Sequence, residues 1–184
     1  MSTRTHVILC TEEGKPLGKT ERTEAHAKGL LHLAFSIYLF RKNRTELLMQ
    51  KRSTEKQLWG GIWANTCCSH PQGGDVREEA AKRLEEEFGF SHPLEEAGAF
   101  LYRAEDPGGK GIEHEYDILL VGDAASEIEP HPDPKEIAEW KWMNVHELEE
   151  EMQTHPKHFA PWLHRGLPQV LSTSSPSAPE SPSS

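Results

Sequence analysis

Glu113 and Glu115 stand two residues apart in a chain that carries eleven histidines. On a strand, side chains two apart leave the same face, so the two carboxylates point together while His114 points away. Two carboxylates held side by side repel unless a cation or a proton lies between them. Cys68 and His70 share the same separation inside the block Cys67-Cys68-Ser69-His70, and His26 and His32 lie upstream. Several imidazoles with a carboxylate pair make a mixed nitrogen and oxygen donor set, suited to zinc or manganese rather than an all-oxygen cage. Each signal alone has an ordinary reading: a surface histidine, a solvated strand face, two small buried thiols. Together they point to a metal centre with a thiol beside it.

A second group is basic. Arg52 follows Lys51, Lys56 comes four residues after Arg52, and Arg83 lies further on. Arginine suits bidentate contact with phosphate oxygens and lysine suits a point-charge contact. Yet the whole chain holds 20 Lys and Arg against 30 Asp and Glu, a formal net charge of −10. That balance excludes a general binder of nucleic acid or of an anionic membrane, since both need a positive field. Any anion must be met by a local basic pocket, and a diphosphate is a fitting occupant.

These residues need elements to position them. Residues 6–10 (HVILC) read as a strand, 13–16 as a turn and the polar stretch 21–29 as a connection. Residues 32–40 (HLAFSIYLF) alternate and are rich in aromatic and β-branched side chains, the pattern of a central strand. A turn at 41–45 and a strand at 46–51 complete a hairpin; a third short strand covers 62–67, followed by a loop at 71–74. The clearest helix starts at a capping box of Asp75 with Glu78 and stops at Gly89. Ala80, Ala81, Leu84 and Phe88 form its apolar stripe, and Arg83 and Glu87 share a neighbouring polar face. Strands are expected at 99–104 and 116–121 around Pro107-Gly108-Gly109 and again at 138–143, with helices at 145–153 and 157–165.

A chain of 184 residues fits one domain with a sizeable core. Strands in hairpin pairs with helices between them favour an α+β fold with a mixed sheet over a doubly wound parallel one. The folded body is expected to span residues 1–171. Residues 172–184 hold seven Ser and three Pro and are expected to be disordered. Nothing at the N-terminus reads as a signal peptide, and no apolar run approaches membrane length. Three cysteines, two of them adjacent, form no disulfide framework, so the cytoplasm is the expected compartment.

Here the residues carry a resemblance. The segment Lys82-Arg83-Leu84-Glu85-Glu86-Glu87-Phe88-Gly89-Phe90 resembles a degenerate Nudix box, with Arg83 where Nudix hydrolases keep a metal-binding glutamate. Leu31-His32-Leu33-Ala34-Phe35-Ser36, Trp59-Gly60-Gly61-Ile62-Trp63, Asn65-Thr66-Cys67-Cys68-Ser69-His70-Pro71, Tyr102-Arg103-Ala104 and Glu113-His114-Glu115 together resemble the type I isopentenyl-diphosphate isomerases. The resemblance runs from about residue 6 to residue 167. It implies a Nudix-like mixed sheet sandwiched between helices, and conversion of isopentenyl diphosphate to dimethylallyl diphosphate. By the same resemblance Cys68, not Cys67, is the catalytic thiol, Glu115 is the proton donor and Tyr102 bonds the acid. His26, His32, His70, Glu113 and Glu115 would bind Mn²⁺ or Zn²⁺. Mg²⁺ would join the substrate to Glu87 and the Cys68 carbonyl. Arg22, Arg52, Lys56 and Arg83 would hold the diphosphate, and Trp162 would face the cationic intermediate through cation–π contact. A small-molecule substrate, a monomer, and no nucleic-acid or membrane partner complete the expectation. Two rivals are weaker: a Nudix hydrolase of nucleoside diphosphate derivatives needs a glutamate at 83, and a zinc-stabilised binding module needs a second cysteine arm.

Overall fold

The computed structural model describes residues 4–173. Strands β1 (His6–Cys10) and β2 (Pro16–Glu21) form a hairpin, followed by helix α1 (Arg22–Lys28) and the long strand β3 (His32–Arg41). Next come β4 (Glu46–Arg52), β5 (Trp63–Ala64), β6 (Cys67–Ser69) and helix α2 (Val76–Phe88). The chain continues with β7 (Glu95–Glu105), β8 (Ile112–Asp123), β9 (Ile137–Asn144), α3 (Val145–Thr154), a single 3₁₀ turn at Pro156–His158 and α4 (Pro161–Ser172).

β3 organises the rest. Along one edge it pairs in succession with β1 at His32, β6 at residues 35–37 and β4 at residues 40–41, all antiparallel. Its other edge pairs in parallel with β8, from His32↔Glu115 to Phe40↔Asp123, and β7 covers β8 on the far side. The sheet is therefore mixed, as expected, and the fold is α+β. A strand enclosed this way must be apolar on both faces, and every side chain from His32 to Phe40 is buried. Tyr38 and Phe40 pack with Leu119, Trp162 and Leu163 under α4, whereas Phe35, Ile37 and Leu39 pack with Leu84 and Phe88 of α2. The helices thus sandwich the sheet. Gly166 allows this closeness, because a Cβ there would collide with the Tyr38 ring oxygen.

Several local expectations are corrected. The polar stretch 21–29 is not a bare connection: residues 22–28 are helical, with Gly29 at φ 63° as the left-handed cap. β2 begins at Pro16, inside the expected turn. The single strand at 62–67 is two, β5 and β6, interrupted by buried Asn65 and Thr66, whose side chains bond backbone groups of β3 and β4. Asp75 caps α2 as expected, accepting from the Arg77 and Glu78 amides. The carboxylate that reaches back to the incoming loop is Glu79, which accepts from Gln72 and Gly74. The last helix starts at Pro161, not 157, because Pro156–His158 make only a 3₁₀ turn. α4 includes Ser172, one residue beyond the expected body; the rest of the expected tail, from 174 on, lies outside the described residues. Among the described residues, no helix is long and apolar enough to cross a membrane.

Candidate active site

Three separate stretches deliver three imidazoles to one place. His26 comes from α1, His32 opens β3 and His70 follows β6; their ring centroids lie 5.0–5.6 Å apart. His32 Nδ1 donates to the Leu30 carbonyl at 2.7 Å, which leaves Nε2 turned inward. Glu113 Oε2 sits 3.2 Å from His26 Nε2 and 3.9 Å from His32 Nε2. Glu115 Oε1 sits 3.1 Å from His70 Nε2 and 3.6 Å from His32 Nε2. On the other face of β8, His114 Nδ1 donates to Gly29 O at 2.9 Å, so it braces the end of α1 that carries His26.

Whether a cation fits is answered by unpartnered atoms. His26 Nε2, His32 Nε2 and Glu113 Oε2 are buried without a hydrogen-bond partner among the described residues. Buried polar atoms are normally satisfied, and donor atoms of His26, His32, His70 and Glu113 all lie within 4.8 Å of one another. They converge on a common point rather than on each other, which suits a divalent ion with imidazole and carboxylate ligands.

The electrostatics follow from burial and neighbours. Burial alone would raise Glu115, but the His32 and His70 rings beside it hold it well below the usual carboxylate range. Glu113 moves up, through burial and the Glu115 charge. Burial pushes His70 down to about 4, whereas for His32 the Glu115 contact outweighs burial and raises it. Tyr102, paired with Glu115 across β7 and β8, is pushed up by burial and by Glu115. It remains a phenol and donates to Glu115 Oε2.

Sheet register puts the two cysteines on opposite faces. Cys68 pairs with Ser36 and Cys67 with Ile37. Cys68 therefore faces the same side as His32, Glu113 and Glu115, while Cys67 is sealed against Leu84 and Phe88. The Cys68 thiol donates to Asn65 Oδ1 at 3.1 Å and lies 3.4 Å from Ser36 Oγ, which donates to Asp117 at 2.7 Å. Burial pushes the Cys68 thiol up to about 12.

A cavity of about 330 Å³ is lined jointly by Cys68, His70, Glu113 and Glu115, by Tyr102 and Trp162, and by Arg22, Arg52, Lys56 and Arg83. Trp162 Nε1 donates to Asn65 Oδ1 at 2.9 Å, and the ring meets Trp59 edge-on. Arg52 lies 5.3 Å over Trp162 and donates to the Leu58 and Trp59 carbonyls, so part of its guanidinium is committed to holding the wall. Arg83 and Glu87, expected on a polar helix face, are instead buried and paired at 2.6 Å. Arg83 also pairs with Glu86 and Glu136 at 3.0 Å each. Glu136 additionally pairs with Lys56, and these two cations, outweighing burial, hold it down to about 2. His32 and Glu87 stand behind the cavity surface.

Sequence alone assigns no role to four residues in or beside the site: Ser36, Asn65, Asp117 and Glu136. Asp117 continues the two-residue period of Glu113 and Glu115, and Ser36 interrupts an apolar strand; both signals were readable. Glu136 carried none.

This fold and cavity define a Nudix-type α+β scaffold with a polar, metal-suited candidate site. The NUDIX domain family matches residues 30–163. The backbone superposes on the MutT protein of Methanosarcina mazei with a TM-score of 0.59 at 15% identity, over 78% of this chain and 92% of that one. A Deinococcus radiodurans structure gives a TM-score of 0.62 at 16% identity, over 82% and 90%. The isopentenyl-diphosphate Delta-isomerase of Halorhodospira halophila is 41% identical over 87% of this chain and 91% of its own. That of Nocardia farcinica is 40% identical over 85% and 89%. The chain belongs to the isopentenyl-diphosphate Delta-isomerase family.

Proposed function

We propose that this chain converts isopentenyl diphosphate to dimethylallyl diphosphate. The observation that carries the reading is the register that turns Cys68 and Glu115 into one cavity, together with the metal-suited cluster and the cations. An unactivated alkene is a poor base, so the acid must be rigidly placed. The Glu115 carboxyl gives its proton to the terminal methylene; the π electrons form that C–H bond and leave the tertiary carbon cationic. The C2–H bond then breaks, its electrons close the new double bond, and the proton passes to the Cys68 thiolate. Water would trap the cation as an alcohol, and the Tyr102 and Trp162 rings that line the cavity supply a dry, electron-rich wall.

A forward turnover leaves Glu115 ionised and Cys68 protonated. Both groups must exchange protons with solvent before the next cycle, so solvent hydrogen enters the product.

His26, His32, His70, Glu113 and Glu115 would hold the divalent ion, Mn²⁺ or Zn²⁺. Its charge would orient Glu115 and sharpen its acidity. Glu87 and the Cys68 carbonyl would meet Mg²⁺ carried by the diphosphate, whose oxygens would lie against Arg22, Arg52, Lys56 and Arg83. We place the catalytic body within residues 1–171 of a cytoplasmic monomer.

Incubation with isopentenyl diphosphate and Mg²⁺ in deuterated water tests the reading. Deuterium in dimethylallyl diphosphate is the expected result. Cleavage of a nucleoside diphosphate derivative to a nucleoside monophosphate and a phosphorylated remainder, with no isomerisation, would favour the hydrolase instead.

A further inference from the structure

Glu136 lines the cavity, and the steps above give it no task. Its Oε2 lies 3.0 Å from Arg83 Nη2 and also contacts Lys56 Nζ, with the side chain only 14% exposed. A carboxylate therefore sits on two of the cations that the proposed function assigns to the substrate's phosphates. Its backbone is tied down: Glu136 O accepts from Ser53 N, and Glu136 N donates to Asp133 O, each at 3.0 Å. Asp133 N in turn donates to Glu87 O at 2.9 Å, at the end of α2. The side chain can swing away while the chain around it stays in place.

We propose that Glu136 is a built-in counter-anion of the phosphate subsite, which a diphosphate must displace to reach Arg83 and Lys56. The inference rests on the reading of this cavity as a diphosphate site. Arg83 also pairs with Glu86 and Glu87, but neither of these lines the cavity. Glu136 is the carboxylate that lines the cavity and contacts both Arg83 and Lys56, where an incoming anion would have to sit. It also sets a threshold for what can bind, because the affinity of an incoming anion falls by the fraction of molecules in which the carboxylate has swung out. An anion with a single charge replaces Glu136 with no electrostatic gain. A diphosphate brings more charge and more oxygens than one carboxylate, so it can take both cations together. Glu136 would thus favour diphosphates over monophosphates and over inorganic anions of low charge.

Calorimetric titration with inorganic pyrophosphate, in buffer containing Mg²⁺, tests this on the full chain. Wild type is compared with Glu136→Gln and Glu136→Ala, and with Glu139→Gln as the control. Glu139, an exposed residue of β9, pairs with Lys51 of β4, so its change alters net charge equally but outside the cavity. Both Glu136 variants should bind pyrophosphate about tenfold more tightly, as expected if the carboxylate is seated some nine-tenths of the time. Glu139→Gln should match wild type. Weaker or unchanged binding in the Glu136 variants would overturn the inference, weaker binding meaning that Glu136 holds the two cations in position. Absence of pyrophosphate binding in all four proteins would overturn the diphosphate reading itself, and this inference with it.

Discussion

Asn65 and Trp162 lie 97 residues apart and meet through one hydrogen bond, the indole N–H to Asn65 Oδ1 at 2.9 Å. The same oxygen accepts the Cys68 thiol at 3.1 Å, so the aromatic wall and the thiol are indexed to a single atom. Asn65 is itself fixed, because Nδ2 donates to the Ile37 and Cys67 carbonyls. Its bonds are the physical reason why the strand expected at 62–67 breaks in two.

Asn65→Ala removes that shared acceptor and leaves two buried donors unpaired. A cost of about 1–3 kcal/mol per unsatisfied group is expected. Urea unfolding should show the lower stability. Steady-state kinetics should show kcat reduced more than KM is raised, since Asn65 touches the reacting thiol and wall but none of the phosphate-binding cations.

Cys68→Ala should abolish turnover while the chain stays folded and keeps its metal. Cys67→Ala should keep most activity and lose stability, because Cys67 fills the core beside Leu84 and Phe88. With the thiol pushed up to about 12, Cys68 is almost wholly protonated at neutral pH. Iodoacetamide should therefore label it roughly a hundredfold or more slowly than an ordinary cysteine, with a rate still rising above pH 9. Mass spectrometry of the labelled peptide reads both. A dead Cys67→Ala with an active Cys68→Ala would reverse the assignment.

His32→Ala and His70→Ala should each lower bound transition metal well below one equivalent. The remaining donors would be too few and less well aligned. Elemental analysis of purified variants checks this without reference to activity. Bound metal should also fall on acidification, because imidazoles and carboxylates bind it only when deprotonated.

Arg83→Ala leaves Glu87, which is 1% exposed, without its nearest cation. Breaking a buried pair this way costs about 3–5 kcal/mol, so a large drop in melting temperature is expected. Arg83→Lys keeps the charge and should fold. Because a contact made equally to substrate and transition state acts on binding, it should raise KM, by about tenfold for a loss near 1.4 kcal/mol, with kcat little changed.

Glu136 links stability to pH. Its folded value is about 2 against 4.5 for an ordinary glutamate, a depressed value. Its contribution is then fully present above pH 4.5 and is lost as pH falls from 4.5 towards 2. Urea titrations at pH 7 and pH 3 should show wild type losing more stability than Glu136→Gln over that interval. Equal losses would mean that the ion pairs with Arg83 and Lys56 do not persist in solution.

What the sequence determined by itself lies in short-range periodicity and chemistry. The apolar alternation of residues 32–40, the cap at Asp75 and the glycine stop at Gly89 mark elements through local rules that need no partner. The spacing of Glu113 with Glu115, and of Cys68 with His70, already puts each pair on a common face. The resemblance of these blocks to a family added the expected chemistry, and the relatives agree with it. Other features depended on contacts across the fold. A seven-residue polar segment reads as a connection because its helix is held by packing and by the His114 bond, not by propensity. The burial of Arg83 and Glu87 could not be read from α2, since their desolvation comes from Gln50, Lys56 and Glu136 on distant segments. Only the tertiary structure decided that Cys68 and not Cys67 faces the carboxylates, because strand register across β3 sets which side a residue takes, and a slip of one residue would exchange them.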